Sequence, residues 1–185
     1  LGHLQWHISA WSLVALSPKV ELLWQLGGAN ARAEVRWNRN SKWQIHDLYF
    51  ASNYRSLSPL ADPDLRRLWQ GLPTTEGLSL TIPLASGNAK EIEHLQGELR
   101  FFAYGNHVLR INPDGHGEIL SSDGGLRLSG PLEWQRDGRY RLQLKIRLSG
   151  NADLGLRAAL SSFGPVNSRG EYDLTIEGSI WTLLR

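Results

Sequence analysis

The chain has 185 residues, a formal net charge of +2, eight tryptophans and neither cysteine nor methionine. Without cysteine there is no disulfide scaffold, no thiolate metal site and no cysteine nucleophile. A pI near 9.1 at so small a net charge marks a slight excess of bases, not the concentrated basic patch of a nucleic-acid binder.

A chain of this length buries roughly 70% of its unfolded surface, and residues 1–185 read as one domain. The only candidate seam is Ala85–His94, "ASGNAKEIEH". No apolar run approaches the ~18 residues of a membrane helix, and no signal peptide is visible. Because Leu1 is not a methionine, the sequence reads as part of a longer chain, with any membrane anchor upstream.

Along the chain the dominant signal is period two, the spacing of half-buried strands. Leu4, Trp6 and Ile8 alternate with His3, Gln5 and His7. "SAWSLVALSP" follows, ambiguous between a helical turn and a loop. Val20, Leu22, Trp24 and Leu26 make a second strand, and Ala31, Ala33, Val35 and Trp37 a third. Gly27 and Gly28 between them tolerate positive φ and predict a tight hairpin. "NRNS" turns the chain into "KWQIHDLYF". In "ADPDLRRLWQGLP", Asp62 caps a short helix, Pro63 and Asp64 suit its first turn, and Gly71 and Pro73 stop it. Leu78, Leu80, Ile82 and Leu84 then form one strand face, with Pro83 on the other parity predicting a sheet edge. "LQGELRFFAY", "HVLRI", "GEIL" and "LRLSGPLEW" are further strands bounded by turn residues. In the first of these, Phe101 and Phe102 point to opposite faces. "RLSG" occurs twice, at Arg127–Gly130 and Arg147–Gly150, a faint echo of a meander.

In "WQRDGRYRLQLKIRLSG", Tyr140, Leu142, Leu144, Ile146 and Leu148 share one parity. Burying them contributes on the order of 7–15 kcal/mol at most. Core burial therefore turns Arg139, Arg141, Lys145 and Arg147 outward. The late strand "EYDLTIEGS" places Glu171, Asp173, Thr175 and Glu177 on one face, matching that length with opposite charge. The two strands are expected to be neighbours, with a short helix over Asp153–Phe163 in their connection, so that most of the basic stripe is neutralised internally. The other reading of these four cations is a docking surface for phospholipid headgroups or an acidic partner.

No chemistry-bearing motif stands out. His3 and His7 lie about 13 Å apart on a strand. Asp114, His116 and Glu118 sit among turn residues and read as a solvated turn. Asp47, Glu98, Glu133 and Asp173 are candidate carboxylates for glycoside chemistry, but strand acids are usually wet faces. No metal, cofactor or catalytic residue is therefore assigned, and the chain is read as a non-enzyme. Trp24, Trp37 and Trp43, joined by Trp6, read either as one core layer or as a groove for an apolar ligand.

"LQWHISAWSLVALSPKVELLWQLGGANARAEVRW" resembles the central region of type II secretion system protein N: a strand, a short W-x-L segment, a long alternating strand and a Gly-rich turn. The tail resembles that family's ending, with Leu-Ser-Gly turns, a Leu/Ala helix reaching "FGP" and Gly-x-Tyr-x-Leu-x-Ile-x-Gly at Gly170–Gly178. The family's membrane helix and its Trp-Ser-Gly type segment are absent and would lie upstream of Leu1. The resemblance implies a Gram-negative inner-membrane protein with one anchor and this domain in the periplasm. It also implies a non-enzymatic accessory role in exporting folded proteins, with the inner-membrane platform or the secretin as partners. A similarity to AsmA-like sheets implies the alternative of a lipid-binding or lipid-transfer groove. The expected fold is a mainly β, strongly curved, mostly antiparallel sheet, an open barrel or β-taco, with two short helices.

Overall fold

The computed structural model describes residues 3–9, 18–37, 42–53, 77–88, 90–102, 104–150, 157, 160–161 and 164–179. It is a single antiparallel meander of eleven strands, each hydrogen-bonded to its neighbours in sequence. They are β1 (His3–Ile8), β2 (Lys19–Leu26), β3 (Ala29–Trp37), β4 (Trp43–Asn53), β5 (Gly77–Gly87) and β6 (Ile92–Phe102), followed by β7 (Asn106–Ile111), β8 (His116–Ser121), β9 (Leu126–Trp134), β10 (Arg139–Leu148) and β11 (Glu171–Ser179). The sheet does not close: β1 and β11 are its two edges. Among the described residues helical backbone occurs only at Arg157, Leu160 and Ser161, within the stretch expected to be the second helix. The expected first helix, and the segment "AWSLVALS", lie outside the described residues.

Period two survives the whole length because register carries it from strand to strand. Leu4, Trp24, Ala31, Phe50, Leu80, Leu99, Leu109 and Ile119 are successive cross-strand partners, one apolar row across β1–β8. On β9 the row meets Gly130, and Leu144 and Leu174 pair on β10 and β11.

That apolar face is concave. In a flat sheet β6 and β9 lie roughly 14 Å apart. Yet the Ile92 N–H, at the start of β6, donates to the Arg136 carbonyl in the β9–β10 turn at 2.7 Å. Ile92, Ala85 and Leu95 share a buried cluster with Trp134 of β9, and Trp43 and Ile45 of β4 pack against it. A second cluster gathers Ile119, Leu126, Leu128, Leu144 and Ile146 beneath Leu160, which comes from the β10–β11 connection and covers this end of the face. The tight hairpin at Gly27–Gly28 forms as expected, with φ of 44° and 101°.

Two features depart from the simple alternation. Pro83 is not at an edge, because β5 lies between β4 and β6. It sits where the β5–β6 register shifts between Thr81 and Leu84. A residue without an N–H is tolerated in a central strand where the ladder is already interrupted. The shift also carries Leu84 off the face of Leu78, Leu80 and Ile82, so that it opposes His46 and Gln96. The neighbouring irregularity in β4 contains Asp47, at φ 51°, a conformation that Asp adopts more readily than most residues.

A polar knot fastens β7, β8 and β9. Ser121 Oγ accepts the Leu128 N–H at 2.6 Å and donates to the Leu128 carbonyl at 3.0 Å. Its single proton is thus committed, so His107 Nδ1, 2.7 Å away, carries a proton and donates. His107 is 1% exposed, with its ring 5.0 Å from that of Phe101.

Two predictions follow from this packing. A methyl group at Gly130 would collide with the Gln143 carbonyl oxygen, and the residue's φ is +152°. Gly130→Ala is expected to lower stability in urea unfolding by about 1–3 kcal/mol. Separately, the Asp123 carboxylate accepts the Asn106 N–H and side-chain amide, both at 3.0 Å. These bonds, the backbone one foremost, hold its carboxyl below the ordinary Asp value. Such a group stabilises the fold above its unfolded pKa and loses that effect as pH falls through the lower folded value. The stability gap between wild type and Asp123→Asn should therefore narrow on acidification from about pH 7 to about pH 3, read by urea midpoints.

Candidate functional site

The four tryptophans singled out in the sequence come from β1–β4 and all project onto the concave face, but they are not equivalent. Trp24 and Phe50 stack with centroids 6.4 Å apart and planes 18° apart. Their strands are separated by β3, nominally about 9.6 Å, so the two rings lean together over Ala31, the small residue that pairs with both. Trp43 lies over Gly87, where its ring comes within 3.0 Å of the position a Cβ would take. Its indole N–H donates to the Asn88 carbonyl at 3.0 Å. Trp37 pairs directly with Trp43 but is 48% exposed. Trp6 opposes Leu22, one row away from Trp24, and is 65% exposed.

Exposure is graded along the sheet. At β9 and β10 the concave side chains Leu128, Leu132 and Ile146 are buried, and at β1 Leu4 is 61% exposed. Leu4 and Trp6 on β1, and Trp37 further along on β3, are thus exposed on the same face, while at the opposite edge Ile176 of β11 is 38% exposed. The sequence pattern identified the face and could not show which end stays open.

The convex face is a charge mosaic. Near β2 and β3, Lys19 Nζ lies 2.7 Å from Glu34, and Arg36 Nε also 2.7 Å. Hydrogen bonding from Lys19 foremost, joined by Arg36, holds the Glu34 carboxyl below its usual range against the opposing effect of burial, and Lys19 is raised in turn. A hollow of about 360 Å³ lies beside this cluster, where Arg32 sits 5.9 Å over the Tyr49 ring and Leu23 is exposed.

On β10 the four basic residues face outward. β11 is the neighbouring strand, and Arg141, Lys145 and Arg147 are opposite Glu177, Asp173 and Glu171. Arg141 pairs with Glu177 at 2.6 Å and Arg147 with Glu171 at 2.7 Å, while Arg139 turns to Asp137 at 2.7 Å. Asp173 accepts instead from the Asn167 amide at 2.9 Å, and among the described residues Lys145 has no ion-pair partner. The carboxylates considered for catalysis are spread out. Glu98 is paired with Arg100 and Arg110, Glu133 opposes Arg141 and His116, and Asp47 sits in the bulge. The His116 N–H donates to Asp114, closing a turn.

One residue that strand parity did not group with this stripe belongs with it. Arg127 on β9 pairs directly with Arg147. The signal was present in the RLSG echo: the first arginines of the two copies become cross-strand partners.

Neither curated proteins nor solved structures give a significant match to this chain. The family model described as type II secretion system (T2SS), protein N, matches residues 1–175, which takes in β1 to β10 entire and more than half of β11. The open meander and that match together place the chain: it belongs to the type II secretion system protein N family, a component of the type II secretion machinery.

Proposed function

We propose that this chain is a non-enzymatic scaffold of the type II secretion machine, held in the periplasm by an inner-membrane anchor. It docks another component of that machine through the uncovered apolar end of its sheet. One observation carries the reading: Leu4, Trp6 and Trp37 are 61%, 65% and 48% exposed on the face that buries Leu128, Leu132 and Ile146 at β9 and β10. Exposed large apolar side chains, here with Leu4 and Trp6 two apart on one face of β1, mark interaction surfaces. The β1 edge adds a second attraction. Its sequence, HLQWHI, has no proline and no acid, lysine or arginine, so it lacks the devices that block strand addition. The partner would be a protein of the inner-membrane platform or the secretin.

A second reading, a groove for a lipid or other hydrophobic ligand, is favoured by the unbroken apolar row from Leu4 to Ile119 on the concave side. The two readings separate in one experiment. A photo-crosslinking amino acid is placed at Leu4 or Trp6 in the full-length protein in secreting cells, with Gln96 on the convex face as control. Docking predicts an adduct with an identified secretion-system protein from the first two positions only. It also predicts that Trp6→Arg weakens capture by about tenfold or more, the scale of a tryptophan hot spot. Lipid adducts alone would replace the docking role with the lipid one, and adducts identical to the Gln96 control would refute both.

A further inference from the structure

The basic side chains on the convex face of β6–β11 are nearly all neutralised. Arg100, Arg110, Arg139, Arg141 and Arg147 each have a carboxylate partner. Among the described residues the exceptions are Arg127 and Lys145, and they lie together. Arg127 opposes Arg147 and Lys145 opposes Ser129 on the same pair of strands. Two arginines directly opposite one another repel. Of the two acids nearby, Glu171 is bound to Arg147 at 2.7 Å. Asp173, which register places opposite Lys145, is held by the Asn167 amide. Three cations thus meet with two carboxylates, and neither carboxylate is bonded to Arg127 or Lys145 among the described residues.

They also line a depression. A pocket of about 210 Å³ is bounded by Arg127, Ser129, Lys145, Arg147, Glu171 and Leu120. Leu120 is 42% exposed, an apolar patch on the pocket rim. The charges converge on one place instead of being spaced along a strand, which suits a single compact multivalent anion better than an extended acidic peptide. Arginine guanidinium pairs and an ammonium are the donors that phosphoryl oxygens take, and a hydroxyl adds a further donor.

We propose that this pocket is a phosphate-binding site in which Arg127, Lys145 and Arg147 hold one phosphoryl group, with the Ser129 hydroxyl as an additional donor. Glu171 orients Arg147. The phosphoryl group belongs either to soluble phosphate or to a phospholipid headgroup, and bound there it relieves the repulsion between Arg127 and Arg147. The site lies on the face opposite the apolar end and does not depend on the docking role proposed above.

The test uses the 185-residue chain, with amide chemical shifts followed by NMR. One arm titrates inorganic phosphate against sodium chloride at matched ionic strength. The other adds vesicles of phosphatidylcholine with or without phosphatidylglycerol. Arg127→Gln and Lys145→Gln are compared with Arg141→Gln, which removes the same charge from an already paired site on the same sheet. Shifts confined to Arg127, Ser129 and Lys145, with affinity lost by about tenfold in the first two variants and less than about twofold in Arg141→Gln, establish the site. Response to phosphate assigns the free anion, and response only to phosphatidylglycerol vesicles assigns a headgroup. No shift in the unmutated chain with either probe overturns the proposal, as does equal weakening by Arg141→Gln, which would mean general electrostatics.

Discussion

The hydrogen bond from Ile92 to the Arg136 carbonyl closes a gap that a flat sheet would leave at roughly 14 Å. It records the constraint behind the whole architecture. A meander of eleven strands with one apolar face has, among the described residues, no second sheet to lie against. Exposed apolar area costs about 25 cal/mol per Å², and sheets beyond about ten strands curl or split. Here the sheet curls, and β4 and β9 contribute to one cluster. The register shifts at Asp47 and at Pro83 lie in the adjacent strands β4 and β5, where bulges sharpen twist and bend a sheet.

Bending covers the face unevenly, and the asymmetry is where function enters. Around β8–β11 the concave side receives Leu160 from the last connection, and Ile119, Leu128, Leu144 and Ile146 are buried under it. At β1–β3 the same alternation continues, but Leu4 and Trp6 remain wet. The row of apolar residues is therefore one physical object with a core at one end and an available surface at the other. A scaffold that must hold its shape while offering an apolar end to a partner is served by that division.

Much of this was legible in the sequence because a strand's side-chain period is fixed at two. The concave residues of β2, β3 and β10 follow from parity alone, and the pairing of β10 with β11 followed from matching length and opposite charge. What parity cannot carry is register across an irregularity. Parity alone puts Leu84 on the face of Leu80 and Ile82, because nothing in "TIPLAS" announces a shift, and it reads the proline as an edge marker. It interrupts a ladder in the middle of the sheet instead. The RLSG echo hints at the meeting of Arg127 with Arg147 without fixing it. Their separation of twenty positions states that they belong to neighbouring turns of the meander, and only the β9–β10 register places them side by side.

The two edges of the sheet differ in their charge. β11 carries Glu171, Asp173 and Glu177, two of them bound to arginines of β10. Exposed pairs of this kind contribute only about 0–1 kcal/mol each, too little to explain the fold. Their effect is on register and on association, since a one-residue slip would set β11's acids on the apolar face and charged edges resist addition of a further strand. β1 has neither device: its concave side chains are Leu4, Trp6 and Ile8, and its other positions are His3, Gln5 and His7. Because hydrogen-bonded edges and exposed apolar side chains act at the same place there, a partner that adds a strand to β1 also covers Trp6. At β11, by contrast, any such addition would bring backbone amides alongside a face whose Glu171 and Glu177 are already committed to β10.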